Sequence, residues 1–113
     1  MPISILWDPH RSVASVAGTL EVSTVEEFRT YMDSLSAGPP GRLHVDLGGV
    51  TFLDSSGLRE LVRLKRRLDG AGSTLSVGGA SAQVRRLFEQ TGLDGAIDLR
   101  DAPLGIDADP APS

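Results

Sequence analysis

The chain of 113 residues contains no cysteine and only two histidines. The first absence removes disulfides, thiolate zinc sites and cysteine nucleophiles. His10 and His44 have no ligand-like partner at helical or hairpin spacing, so a metal would have to rest on carboxylates alone, and none is expected. Positive charge is also in short supply: 11 Lys and Arg against 15 Asp and Glu give a net charge of -4. That balance opposes direct nucleic-acid binding, which needs a basic face. No apolar run approaches the ~20 residues of a membrane-spanning helix. Met1-Pro2-Ile3-Ser4 leads into strand-like sequence rather than a charged and then apolar leader, so a soluble cytoplasmic protein is expected. Catalytic motifs are missing too. Leu53-Asp54-Ser55-Ser56-Gly57 lacks the first glycine of a nucleophile elbow, neither histidine sits in a context that marks a base, and there is no Walker-type phosphate loop. No catalytic residue and no cofactor are expected.

What remains is a chain of single-domain size with a regular alternation of apolar patterns. Ile3 to Trp7 and Ser12 to Gly18 read as strands joined at Asp8-Pro9-His10-Arg11, which favours a turn. Ser23 and Glu26 have capping-box spacing, and Val25, Phe28, Met32 and Leu35 then share a helical face, which predicts a first helix to about Ser36. Ala37-Gly38-Pro39-Pro40-Gly41 ends it. Leu43, Val45 and Leu47 alternate with His44 and Asp46 in a predicted central strand. From Ser55 to Asp69, Leu58, Leu61, Val62 and Leu68 point to a core, while Arg59, Arg63, Arg66 and Arg67 point away and Gly70 stops the helix. These arginines read as a solvated face interrupted by Glu60 and Asp69, or as a surface for an acidic partner or lipid head groups. A strand over Thr74 to Val77, a helix over Ser81 to Thr91 closed by Gly92 and Leu93, and a strand over Ala96 to Leu99 complete the pattern. The expected architecture is α/β: a mixed sheet of about four to five strands joined by right-handed crossovers, with three or more helices packed on it. Residues 1–101 are expected to form the domain. Residues 102–113, with three prolines and little to bury, are expected to be a loose tail.

Sites in such sheets collect beyond the carboxyl ends of the strands. Three stretches are expected there: Glu21, Val22, Ser23 and Thr24; Asp54, Ser55, Ser56, Gly57 and Leu58; and Gly78, Gly79, Ala80 and Ser81. In the second, two adjacent serines open a helix. Either can serve as its N-cap, and Gly57 can permit close packing. A capping box does not account for the pair, because Leu58 and Arg59 occupy the places three residues on.

Gly18-x-Leu20, Val45-Asp46-Leu47, Phe52-Leu53-Asp54-Ser55-Ser56-Gly57-Leu58 and the run Val84 to Leu93 together resemble the STAS domain of bacterial anti-sigma factor antagonists, over about Ile3 to Asp101. The resemblance implies a STAS-like fold and a regulatory role. The serine directly after the aspartate, here Ser55, with Ser56 as second choice, would be phosphorylated by a partner serine kinase that is itself the anti-sigma factor and uses ATP. The unphosphorylated chain would capture that partner and release the sigma factor; phosphorylation would abolish capture, and a serine phosphatase would reset the switch. The chain would be a substrate and not an enzyme. Glu21 stands where aspartate is more usual, and the second helix is unusually rich in arginine. The alternative is a constitutive, unphosphorylated STAS subunit of a transporter or lipid-transport assembly.

A serine at a helix start lies near unpaired backbone N–H groups and the positive end of the helix dipole, so a phosphate is tolerated there. Beside Asp54, its charge of about -1.5 to -2 would turn an exposed surface strongly negative.

Overall fold

The computed structural model describes residues 3–92 and the backbone of 98–100. The elements run β1 (Ile3–Asp8), β2 (Val13–Leu20), α1 (Val25–Leu35), β3 (Arg42–Leu53), α2 (Ser55–Gly70), β4 (Thr74–Gly78), α3 (Ala82–Thr91) and β5 (Asp98–Arg100). They form one mixed sheet in the order β1-β2-β3-β4-β5, in which β1 is antiparallel to β2 and every later pairing is parallel. The opening hairpin turns where Asp8 and Pro9 predict it. The Asp8 carboxylate accepts hydrogen bonds from the N–H groups of His10 and Arg11 at 3.0 and 3.3 Å. Parallel neighbours need crossovers, and α1, α2 and α3 supply them.

Alternation decides which sheet face is buried. Leu43, Val45 and Leu47 of β3 join Ala14 and Val16 of β2 and Leu75 and Val77 of β4 in one core. Helix α2 packs on β3 and β4, and α1 packs on α2. The helices contribute Phe28, Met32, Leu58, Leu61, Leu64, Leu68, Val84 and Phe88. Leu64 belongs to the stripe that the sequence reading drew through Leu58, Leu61, Val62 and Leu68, of which Val62 is only partly buried.

Three local expectations change. Strand β3 runs past Leu47 to Leu53, because β2 continues beside it to Leu20 through two register shifts. The first shift falls between Asp46 and Gly49 and the second between Val50 and Phe52, so the ladder bulges past the glycine pair at which the sequence pattern breaks. Ser23 and Glu26 do not form the capping box at α1. The N-cap residue is Thr24, whose hydroxyl donates to the Thr19 carbonyl at 2.8 Å and makes no cap bond; the Glu21 carbonyl accepts from the N–H groups of Thr24 and Val25. The N-cap of α2 is neither serine, as described below. Gly92 closes α3 in the left-handed conformation, φ 75°, as its position predicts. Leu93, Ala96, Ile97 and the proline-rich tail lie outside the described residues.

Candidate functional site

The end of β3 and the start of α2 are built around one carboxylate. Asp54 has extended backbone angles, and its Oδ1 accepts hydrogen bonds from the N–H groups of Ser56 and Gly57 at 2.9 and 3.1 Å. Asp54 is therefore the N-cap, which corrects the expectation that Ser55 or Ser56 fills that place. The reason is register. Leu53 is the last β3 residue held opposite Leu20, and the Asp54 N–H donates to the Leu20 carbonyl at 3.3 Å, so the half-in, half-out position falls on residue 54. Ser55 becomes the first helical residue. Its side chain is exposed and has no hydrogen-bond partner among the described residues, while Ser56 is half-buried.

Gly57 is needed where it stands. A Cβ there would collide with the Leu20 carbonyl oxygen and come within 2.9 Å of the Leu20 side chain. Its absence lets α2 begin flush against the end of β2, which brings the Asp54–Leu58 segment beside the Glu21–Thr24 loop. That loop is ordered from within. Thr24 is buried, and its hydroxyl accepts from the Glu21 N–H at 3.1 Å. The Glu21 carboxylate accepts from the Ser23 hydroxyl and N–H at 2.5 and 3.2 Å. Those hydrogen bonds, the hydroxyl's first, hold Glu21 below the usual glutamate pKa range. Val22 projects between them, 71% exposed.

The third stretch is placed differently. Gly78 ends β4 opposite Asp46, and Gly79, at φ 72°, packs so tightly on the Asp46 carboxylate and the Gly48 backbone that a Cβ would clash with both. Both contacts lie well upstream of Asp54 on β3, because β3 extends past β4. Ser81 serves as the N-cap of α3, its Oγ accepting from the Val84 N–H at 3.3 Å. The structure thus joins Glu21–Thr24 to Asp54–Leu58 and sets Gly78–Ser81 along a different part of the strand.

The arginines of α2 divide into two groups. Glu60, read from the sequence as interrupting a solvated face, is 3% exposed. Its carboxylate accepts from Arg29 of α1 at 3.0 Å and from Arg63 at 2.6 Å. Arg63 also reaches Asp33 at 2.8 Å, and Arg67 approaches the same carboxylate at 3.4 Å. Partial burial opposes the charge of Arg63, but its hydrogen bonds to Asp33 and Glu60 outweigh this and raise its pKa above the ordinary arginine value. These residues tie α1 to α2. Arg59 and Arg66 are exposed and make no ion pair among the described residues. A cleft of about 500 Å³ lies between the two helices, with Val22, Val25 and Val62 as its apolar lining, Ser56 at its edge, and Arg29, Arg59, Glu60, Arg63 and Arg66 as its charged groups. The Glu60–Arg63 spacing is visible in the sequence; the contribution of Arg29 is not.

No helix among the described residues is long and apolar enough to cross a membrane. The family model described as "Mlab, STAS domain" matches residues 3–101. An anti-sigma-B factor antagonist of Staphylococcus epidermidis is 33% identical over 78 residues, which is 69% of this chain and 72% of the relative. An anti-sigma factor antagonist from Mycobacterium paratuberculosis superposes with a TM-score of 0.79 at 29% identity, over 88% of this chain and 86% of that one. The Bacillus cell fate determinant SpoIIAA, in its phosphorylated form, shares the fold with a TM-score of 0.65 at 19% identity, over 88% of this chain and 91% of that one. The matched span, the five-stranded mixed sheet and the relatives agree: the chain belongs to the STAS-domain family, alongside bacterial anti-sigma factor antagonists.

Proposed function

We propose that the chain is a cytoplasmic anti-sigma factor antagonist whose capture of an anti-sigma factor is controlled by phosphorylation of Ser55. One observation carries the choice of acceptor: Asp54 takes the cap, so the exposed Ser55 hydroxyl at the first position of α2 has no structural duty to give up. Ser56, half-buried beside it, is the less accessible of the two. In this reading the chain is a substrate and not a catalyst. The partner is an anti-sigma factor with serine kinase activity: Ser55 Oγ attacks the γ-phosphorus of ATP, the bond to the ADP oxygen breaks, and the hydroxyl proton passes to a base of the kinase. A serine phosphatase hydrolyses the ester and restores the binding form.

The switch follows from charge at fixed shape. Phosphate adds about -1.5 to -2 charge at the N-terminus of α2, where the helix dipole favours it, so the fold persists. The surface that a partner must match then becomes strongly negative locally, next to Asp54 and the Glu21–Thr24 loop. Both anchors of that surface are rigid, since Gly57 is pressed on Leu20 and Thr24 is bonded inside its own loop. A rigid surface converts a local charge into lost affinity rather than into rearrangement.

The test is phosphate incorporation from cognate anti-sigma kinases together with partner affinity by calorimetry, for wild type, Ser55→Ala, Ser56→Ala and Ser55→Asp. Ser55→Ala is expected to bind as wild type and to accept no phosphate, and Ser56→Ala to be phosphorylated. Ser55→Asp is expected to weaken the complex about tenfold, which corresponds to ~1.4 kcal/mol. Phosphorylation of Ser55→Ala at the wild-type rate would refute the acceptor assignment. If no variant accepts phosphate from any cognate kinase, the constitutive structural role replaces this one.

A further inference from the structure

From the α1–α2 cleft we infer a docking groove for an acidic amphipathic helix of a protein partner, gripped at its two ends by Arg59 and Arg66. Four guanidiniums line the cleft, from Arg29, Arg59, Arg63 and Arg66, against the single carboxylate of Glu60. This local excess is positive in a chain whose net charge is -4. Its members are not equivalent. Arg29 and Arg63 are both bonded to Glu60, at 3.0 and 2.6 Å, and Arg63 also to Asp33 at 2.8 Å, so both are already engaged. Arg59 and Arg66 are not.

The spacing of the two uncommitted arginines selects the ligand. They are seven residues apart on one helix, about 10.5 Å along its axis at ~1.5 Å per residue, and so cannot close together on one small anion. A free phosphate needs converging donors, and the other two guanidiniums of the cleft are bonded to Glu60. An α-helix laid along α2 with carboxylates seven residues apart meets the same spacing, because seven residues are nearly two turns. Between those carboxylates the cleft offers Val62 and Val25, with Val22 at the rim, 71% exposed. Aliphatic side chains three and four residues from each acid would fill that stretch, which is the usual pattern of a helix bound in a groove.

The groove also adjoins the proposed switch. Ser56 lines it, and Ser55 precedes Arg59 by four residues, the spacing at which side chains on one helix meet. A phosphate on Ser55 would draw on Arg59 and leave Arg66 as the one uncommitted guanidinium. The inference that the docking helix belongs to the anti-sigma factor rests on the function proposed above; the preference of the groove for an acidic helix does not.

Two binding experiments separate these claims. In the first, the full chain, labelled with nitrogen-15, is titrated with a stapled helical peptide carrying glutamates seven residues apart and leucines between them. Amide shifts are expected at Val22, Val25, Arg59, Val62 and Arg66. The affinity should fall at least tenfold in the double variant Arg59→Glu/Arg66→Glu and stay unchanged in Arg42→Glu, at the start of β3 and outside the cleft lining. Circular dichroism and melting confirm that each variant is folded. An affinity that survives the double charge reversal overturns the groove, as does an identical set of shifts from inorganic phosphate alone, which would mark a small-anion site. In the second experiment the same variants are titrated with the anti-sigma factor. Loss of its binding in the double variant supports docking in the groove. Binding that responds to Ser55→Asp but not to the double variant overturns the groove's part in partner capture and leaves the switch standing. Peptide binding that depends on both arginines, with no anti-sigma factor captured by wild type, supports the groove and refutes the functional reading instead.

Discussion

Replacing Asp54 by alanine tests whether a carboxylate, and not a serine, starts α2. The Asp54 side chain satisfies two N–H groups of the first helical turn, those of Ser56 and Gly57. Loss of a cap of this kind costs about 1 kcal/mol, in a range of roughly 0.5–2. Removing a negative charge from the positive end of the dipole costs about 0.3–1 kcal/mol more. Asp54→Ala is therefore expected to lose about 2 kcal/mol, while Asp54→Asn, which keeps an acceptor and loses only the charge, should lose under ~1 kcal/mol. Ser55→Ala and Ser56→Ala should go the other way by up to ~0.5 kcal/mol, since alanine is the better helix former and neither hydroxyl caps. Urea unfolding of the four variants reads the series directly, with the slope in denaturant unchanged and the midpoint moved. A loss in Ser55→Ala or Ser56→Ala as large as that in Asp54→Ala would show that a serine holds the cap. The case for an unengaged acceptor hydroxyl would fail with it.

Gly57→Ala should cost about 1–3 kcal/mol through overpacking against the Leu20 carbonyl, and amide exchange should show the loss at the ends of β2 and α2 first; an unchanged denaturation midpoint would show that the two ends are not pressed together. Ser23→Ala removes the hydroxyl that does most to depress the Glu21 pKa, so carbon-detected NMR titration should find the Glu21 midpoint moved up toward the ordinary glutamate value. The sign for stability follows: a depressed folded-state pKa contributes stability above the unfolded value that is lost as pH falls through the folded one, so Ser23→Ala should narrow this acid-side loss. A Glu21 midpoint that does not move in Ser23→Ala would contradict the hydrogen-bonded loop.

Much of the fold was legible in the linear pattern. The alternation at Leu43, Val45 and Leu47, the helical stripe at Val25, Phe28 and Met32, and the left-handed stop at Gly92 are local matters, in which each residue's neighbours along the chain settle its conformation. The sequence could also point to Asp54-Ser55-Ser56-Gly57 as a helix start, because all four residue types suit that position. It could not choose among them. That choice belongs to the β2–β3 register, which ends the strand at Leu53 opposite Leu20 and leaves Asp54 to cap. For the same reason β3 was read too short: a ladder held by Ala17, Gly18, Thr19 and Leu20 carries the strand through a glycine pair that breaks its own pattern.

The arginine-rich face shows the division most clearly. Along the sequence, Arg59, Arg63, Arg66 and Arg67 are alike, spaced around a helix and interrupted by acids. Only packing α1 on α2 brings Arg29 and Asp33 across, buries Glu60, and spends Arg63 and Arg67 on structure while Arg59 and Arg66 remain uncommitted. Periodicity assigns a side chain to a face of its own helix. What that face meets is set by contacts between residues some thirty positions apart, and those exist only once the sheet has fixed where each helix lies.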